Sequence, residues 1–142
     1  MSVDLNDLYQ EVILDHYRNP RGAGVLEGAT HAAVGDNPLC GDRVSITARI
    51  DGGIIEQIRH ESSGCALCVA SASLMVENIT GKSIGEFEDS ANQFYLLVKG
   101  ENDKVEGKLL AFAGVSKFQM RVKCATLAWH TVEKAISTND RN

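Results

Sequence analysis

Arg43-Val44-Ser45-Ile46-Thr47-Ala48-Arg49-Ile50-Asp51-Gly52-Gly53-Ile54 decides the architecture. Val44, Ile46, Ala48 and Ile50 fall on one face of an extended chain, and Arg43, Ser45, Thr47 and Arg49 on the other. That period of two is the mark of a half-buried strand. Asp51-Gly52-Gly53 tolerates the positive φ of a tight hairpin turn, so Ile54 to Glu61 returns as an antiparallel partner. The hairpin starts at Asp42 and ends just before Cys65, which brings these two residues to the same end of the sheet.

Working outward, Ser63-Gly64-Cys65-Ala66-Leu67-Cys68-Val69-Ala70-Ser71-Ala72-Ser73-Leu74-Met75 puts a thiol at a helix start. Unpaired N–H groups and the positive dipole end there favour thiolate over thiol. The helix runs from Cys65 to Ile79, with Cys65, Cys68, Ala72, Met75, Val76 and Ile79 on one face and Gly81 ending it. Ser83-Ile84-Gly85-Glu86 has the form of a capping box, and Ile84, Phe87, Ala91, Phe94 and Val98 make the apolar stripe behind it, closed by Gly100. A short helix is expected from Val105 to Ala113 with Gly114 at its C′ position, then a last helix from Val122 to Ile136. The stripe of that last helix is Ala125, Ala128, Trp129, Val132, Ala135 and Ile136, and the tail after Ser137 is polar. Before the hairpin, Leu5, Leu8, Tyr9, Val12 and Tyr17 give Asp4 to Arg18 an apolar helical face, stopped by Asn19-Pro20-Arg21-Gly22. The segment up to Pro38 reads as a loop with one short strand near Thr30 to Val34. The expected fold is therefore α+β: a small antiparallel sheet of about three strands with helices packed on one face, an N-terminal helix and a C-terminal helical half. With no repeat, linker or low-complexity tract, residues 1–142 read as one domain.

The chain has 142 residues, 44% of them hydrophobic and 23% charged, the balance of a water-soluble globular protein. Its net charge of -5 argues against nucleic acid as a partner, since phosphate binding needs clustered Lys and Arg. No apolar run approaches the ~20 residues of a membrane helix, and Met1-Ser2-Val3-Asp4 does not begin a secretion signal. These features point to the cytoplasm, where four cysteines are metal ligands or reactive groups rather than disulfides. No heptad seam is present, which leaves a monomer as the expectation.

Cys40 in Asn37-Pro38-Leu39-Cys40-Gly41-Asp42, Cys65, and Cys124 in Arg121-Val122-Lys123-Cys124 all stand at expected element ends. With Asp42 they supply the four ligands that zinc takes in a tetrahedron, and three thiolates could equally hold iron and sulfide. Gly41 lets the backbone fold so that Cys40 and Asp42 face one ion. Buried core thiols are the competing reading for Cys40 and Cys124, although both are flanked by polar residues. Cys68 lies on the apolar stripe of its helix and is favoured as a packed core thiol, against a resolving thiol for Cys65. His16, His31, His60 and His130 lack ligand spacing and read as solvated or hydrogen-bonded. Lys123 adjoins Cys124, where an ammonium favours thiolate.

Four segments together resemble the IscU/SufU family of iron–sulfur cluster assembly proteins over nearly the whole chain. They are Leu8-Tyr9-Gln10-Glu11-Val12-Ile13-Leu14-Asp15-His16-Tyr17-Arg18-Asn19-Pro20-Arg21, the Asn37–Asp42 stretch, Ser63-Gly64-Cys65 with Ala70-Ser71-Ala72-Ser73, and Arg121-Val122-Lys123-Cys124-Ala125-Thr126-Leu127-Ala128-Trp129. Within the family the chain is similar to the SufU branch. The gap from Cys65 to Cys124 is long, Lys123 stands where the IscU branch has histidine, and Lys117-Phe118-Gln119-Met120-Arg121 replaces the Pro-Pro-Val-Lys segment that engages an Hsp70 system. The resemblance implies Cys40, Asp42, Cys65 and Cys124 as ligands of Zn2+, with Lys123 in support. It implies Cys40 as the thiol that accepts sulfane sulfur from the persulfide of a PLP-dependent cysteine desulfurase of the SufS type. During docking a desulfurase histidine takes a place on the zinc and frees that thiol. The sulfur passes on to a cluster scaffold or apoprotein acceptors, and the chain acts as a sulfurtransferase, the sulfur-acceptor partner of the desulfurase. The alternative is a scaffold on which a [2Fe–2S] cluster is built on Cys40, Cys65 and Cys124 and passed to apoproteins. Cys68 departs from the family pattern, which has a small non-thiol residue there.

Overall fold

The computed structural model describes residues 5–101, 105 and 107–139, with side chains of 10–101, 105 and 107–137. The reading of Met1–Asp4, the side chains of Leu5, Leu8 and Tyr9 and the end of the polar tail lie outside the described residues. Helix α1 spans Leu5–Arg18; strands β1, β2 and β3 span His31–Asn37, Asp42–Asp51 and Ile54–Ser63. Helices α2 (Ala66–Ile79) and α3 (Ile84–Val98), a 3-10 helix (Gly107–Lys117) and α4 (Gln119–Asn139) follow. The expected α+β architecture is what the chain adopts.

The three strands form one antiparallel sheet in the order β1-β2-β3. Val44, Ile46 and Ala48 are buried as the alternation requires, while Ile50 is only half-buried because the β2–β3 register shifts between Arg49 and Ile50. The turn uses Gly52 and Gly53 at φ of 58° and 77°, the pair of positive values that a type I′ turn demands. Asn37 pairs with Asp42 and Arg43 pairs with Ser63, so both strand connections that matter for the cysteines meet at one end of the sheet.

Helix α2 packs on β3 and α4 packs on β1 and β2, and together they cover the Val44–Ile46–Ala48 face. Every residue of α2 from Cys68 to Val76 is buried, because α1, α4 and the sheet enclose it. Ser71 ties α2 to α4: its Oγ donates to the Ala125 carbonyl at 2.5 Å and accepts from Trp129 Nε1 at 3.1 Å. Trp129 stacks on Phe94 with ring centroids 4.7 Å apart, which carries α3 into the same core. Both groups of the Ser83–Glu86 capping box are in place.

Four boundaries or faces depart from expectation. The segment read as a Val105–Ala113 helix is a 3-10 helix that runs through Gly114 to Lys117, so Gly114 is no C-cap. Helix α4 begins at Gln119 rather than Val122, because Arg121 N–H already closes onto the Phe118 carbonyl at 2.8 Å. Cys124 therefore sits in the second turn, not at the helix start. Strand β1 reaches Asn37, beyond Val34, because its pairing with β2 continues to Asp42. On α1, Tyr17 is turned outward while His16 is fully buried.

His16 Nδ1 meets Ser73 Oγ at 2.6 Å, and Ser73 Oγ also accepts the Arg21 N–H at 2.8 Å. His60 bonds Ser62 Oγ and the Arg21 carbonyl. Burial holds both imidazoles below their usual value, and the Arg21 charge adds to this for His16. In the unfolded chain they take up protons near pH 6.5 while in the folded chain they stay neutral, so stability is full above that pH and falls as pH drops. The melting temperature is expected to fall from pH 7.5 to 5.5, with a shallower fall in His16→Gln. Equal pH slopes for the two proteins would exclude this.

Candidate metal centre

The centre is assembled where the β1–β2 turn, the β3–α2 junction and α4 meet. Gly41 has φ of 69°, a left-handed conformation that closes the turn between Cys40 and Asp42 and that other residues rarely adopt. The donor atoms of Cys40, Asp42 and Cys124 all lie within 4.8 Å of one another. Cys124 and Asp42 are buried, and Cys40 is half-exposed. The Cys65 sulfur stands outside that tight group but close enough to raise the pKa of Cys124. Cys65 is the N-cap of α2, and its backbone N–H donates to Asp42 Oδ1 at 2.9 Å. One carboxylate oxygen thus caps the positive end of α2.

The other oxygen is the test of whether a metal fits. Asp42 Oδ2 is buried with no hydrogen-bond partner. A carboxylate oxygen left so costs several kcal/mol unless a cation meets it. The Asp42 carboxyl group lies in a neighbourhood of thiols, of which Cys124 is pushed upward in pKa by its burial and then by Asp42. Three groups that become anionic on losing protons, gathered within 4.8 Å with the Cys65 thiol close by, suit a divalent ion, and a sulfur-rich set with one carboxylate suits Zn2+. The residues present fit the metal that the sequence implied.

Three residues were not assigned a role by sequence reasoning. Asn37 is buried and its Nδ2 donates to Cys124 Sγ at 3.8 Å. Arg121, three residues before Cys124 on α4, is held further above its usual value by Cys124 first and then Cys65, so its guanidinium faces both thiols. Both lie in quoted motifs, and the i, i+3 spacing of Arg121 and Cys124 was the available signal. Gly64 is the third. A Cβ there would fall 2.2 Å from Asp42 Oδ1 and 2.8 Å from Asp42 Cα. Lys123 is exposed and shares with Cys40, Asn37, Leu39, Gln119 and Met120 the wall of a cavity of about 240 Å3. Cys68 is fully buried in the core, and burial pushes its thiol up to about 12. It is a packed thiol that stays protonated, which favours the core reading over a resolving one.

Residues 8–141 match the family described as the NifU-like N-terminal domain. A zinc-dependent sulfurtransferase SufU of Bacillus subtilis is 39% identical over 142 residues, covering 98% of this chain and 96% of that one. An iron–sulfur cluster assembly scaffold protein IscU of Streptococcus pyogenes is 38% identical over 135 residues, 93% of this chain and 84% of that protein. A solved NifU-like N-terminal protein of Brucella abortus superposes with a TM-score of 0.86 at 25% identity, covering 97% and 98% of the two chains.

Proposed function

The chain belongs to the family of NifU-like N-terminal domains, and on that premise we propose that it serves iron–sulfur cluster assembly as a zinc-dependent sulfurtransferase. Cys40 accepts sulfane sulfur from the persulfide of a PLP-dependent cysteine desulfurase of the SufS type. It relays that sulfur to a cluster scaffold or apoprotein. Cys40, Asp42, Cys65 and Cys124 hold the zinc. The observation that carries this reading is the convergence of Cys40, Asp42 and Cys124 donor atoms within 4.8 Å, together with the orphaned Asp42 oxygen. Support also comes from the 39% identical relative, a protein named for zinc-dependent sulfur transfer. The zinc, when bound, keeps its thiol ligands deprotonated at neutral pH.

Cys40 is suited to be the acceptor because, of the two half-exposed thiols Cys40 and Cys65, it is the one that lines the cavity beside the centre, while Cys124 is buried. Its thiolate attacks the terminal sulfur of the desulfurase persulfide. A new S–S bond forms on Cys40, the S–S bond of the donor breaks, and the donor cysteine leaves as thiolate with the electron pair. The proton stays with the transferred sulfur, and no net oxidation occurs. Asn37 serves the buried side of the centre and Arg121 its exposed side. The amide donates to Cys124, and the guanidinium offsets negative charge on Cys65 and Cys124.

Cys40→Ala is expected to keep its fold, lose desulfurase stimulation and acquire no persulfide by mass spectrometry. Full stimulation by that variant would sink the role given to Cys40. The scaffold alternative draws on the relative named as an IscU scaffold. Anaerobic reconstitution with iron, cysteine and desulfurase separates the two. A stable, transferable [2Fe–2S] cluster favours the scaffold, and retained zinc with sulfur transfer favours the sulfurtransferase.

A further inference from the structure

The sulfurs of Cys40 and Cys124 lie within 4.8 Å of each other, yet only Cys40 is to carry the transferred sulfur. Once Cys40 holds a persulfide, the Cys124 thiolate has an electrophile in reach. Its attack on the inner sulfur would form an S–S bond between Cys40 and Cys124. The bond to the outer sulfur breaks, and that sulfur leaves as hydrosulfide with the electron pair. Atoms and electrons balance without an outside oxidant, so the proximity alone is enough to lose the cargo. Burial of Cys124 gives no protection, because the electrophile is a neighbour in the centre and not a molecule arriving from solvent.

One side chain is placed to hold Cys124 back. Asn37 is the last residue of β1, and Pro38 after it keeps its backbone extended. It touches the centre in three ways. Its carbonyl accepts the Cys40 N–H at 3.1 Å, it pairs with Asp42 across the sheet, and its Nδ2 donates to Cys124 Sγ at 3.8 Å. The residue that anchors the Cys40 turn is thus the one whose amide meets the Cys124 sulfur. Asn37 is 7% exposed, so little water competes for that amide. An N–H aimed at a thiolate engages a lone pair that attack would use, and such a bond to an anion is stronger than one to a neutral group. Arg121 also lies beside Cys124, but it is exposed and shared with Cys65. Asn37 is the buried donor.

We propose that Asn37 is a positioning residue that reserves the transferred sulfur for Cys40: its amide restrains the Cys124 sulfur while its carbonyl fixes the Cys40 turn, so the Cys40–Cys124 disulfide does not form. This rests on the sulfurtransferase reading above. Two substitutions separate the side chain from the backbone. Asn37→Asp keeps the shape and puts an acceptor where the donor was. Asn37→Ala removes the side chain and leaves the carbonyl on the Cys40 N–H.

The test loads the full chain, saturated with zinc, from the SufS-type desulfurase of the same organism and L-cysteine. The cysteine is then removed, the protein is followed by peptide mass spectrometry and the solution by a sulfide assay. The parent should keep its persulfide on Cys40. Asn37→Asp and Asn37→Ala should lose theirs about tenfold faster, release sulfide in step with that loss, and gain a Cys40–Cys124 disulfide. A persulfide as long-lived as the parent's overturns the proposal. So does a Cys40–Cys65 disulfide formed as readily as the Cys40–Cys124 one, because the substitution then merely loosens the turn. Parent sulfur found on Cys124 overturns it as well. Where the variants do not fold, the parent decides. Loaded with NMR-active cadmium, its Asn37 side-chain amide proton should couple to the metal through the Cys124 sulfur, and absence of that coupling overturns the proposal. If the coupling is present but the parent takes up no sulfur at all, the sulfurtransferase reading falls and the reserving role with it, while the Asn37–Cys124 contact stands.

Discussion

Chelation of the metal is expected to lower the melting temperature by about 12 °C when the loaded protein is measured at free zinc a thousandfold above its Kd. The figure follows from linkage. A ligand that binds only the folded state at that excess adds about 4 kcal/mol, and a chain of this size moves roughly 3 °C for each kcal/mol. The folded state is the only one that can bind well, because the donors come from the β1–β2 turn, the start of α2 and the second turn of α4. The unfolded chain has only Cys40 and Asp42 close in sequence. Without the ion, Asp42 Oδ2 remains buried and unpartnered, so opening of the β1–β2 turn is expected to be less costly in the apoprotein. Hydrogen exchange should therefore rise first around residues 38–42 and 64–66 and least in the Ser71–Trp129 core. A melt unchanged after verified zinc removal would show that the ligand set contributes nothing to folding.

The hairpin and the helices were legible because their signals are local. Alternation from Arg43 to Ala48 matches burial, Asp51-Gly52-Gly53 has one economical conformation, and the Ser83–Glu86 box caps α3 as its spacing requires. The β1 boundary and the register shift at Ile50 depend on the partner strand, which no short window contains. The 3-10 helix was misread because Leu109, Ala111, Phe112 and Val115 are buried without a 3.6-residue period, each serving α1, α3 or α4. At the centre, the turn at Cys40–Asp42 and the end of the hairpin were enough to gather Asp42 with Cys65. Cys124 is expected from its sequence at a helix start, but α4 begins five residues earlier and carries the thiol in its second turn. Arg121 and Asn37 escaped notice because an arginine and an asparagine are ordinary surface residues until packing aims them at a sulfur. Gly64 is the instructive case: its neighbour in space, Asp42, is on another strand, so the reason it must be glycine is invisible from the helix start it precedes.

Gly64→Ala is expected to destabilise the protein by about 4 kcal/mol and to strip it of metal, the largest effect of any single methyl group added near the centre. Two separate causes add. At φ of +121° an L side chain meets its own backbone, which costs about 1–2 kcal/mol at any such position. Beyond that, the new Cβ would sit 2.2 Å from Asp42 Oδ1 and 2.8 Å from Asp42 Cα. The Cα cannot retreat cheaply, because Asp42 pairs with Asn37 in the sheet. The carboxylate must therefore swing off the Cys65 N–H that it caps at 2.9 Å, which also shifts the carboxyl group relative to Cys40 and Cys124. Gly81→Ala isolates the first cause, since Gly81 has φ of +87° with nothing within 4 Å of its would-be Cβ. That control should lose about 1–2 kcal/mol and keep its zinc. If Gly64→Ala melts with Gly81→Ala and retains zinc against a chelator, the steric coupling of Gly64 to Asp42 is wrong. If it falls well below the control and loses zinc, the glycine is there to let a helix start close onto a carboxylate that is shared with the metal.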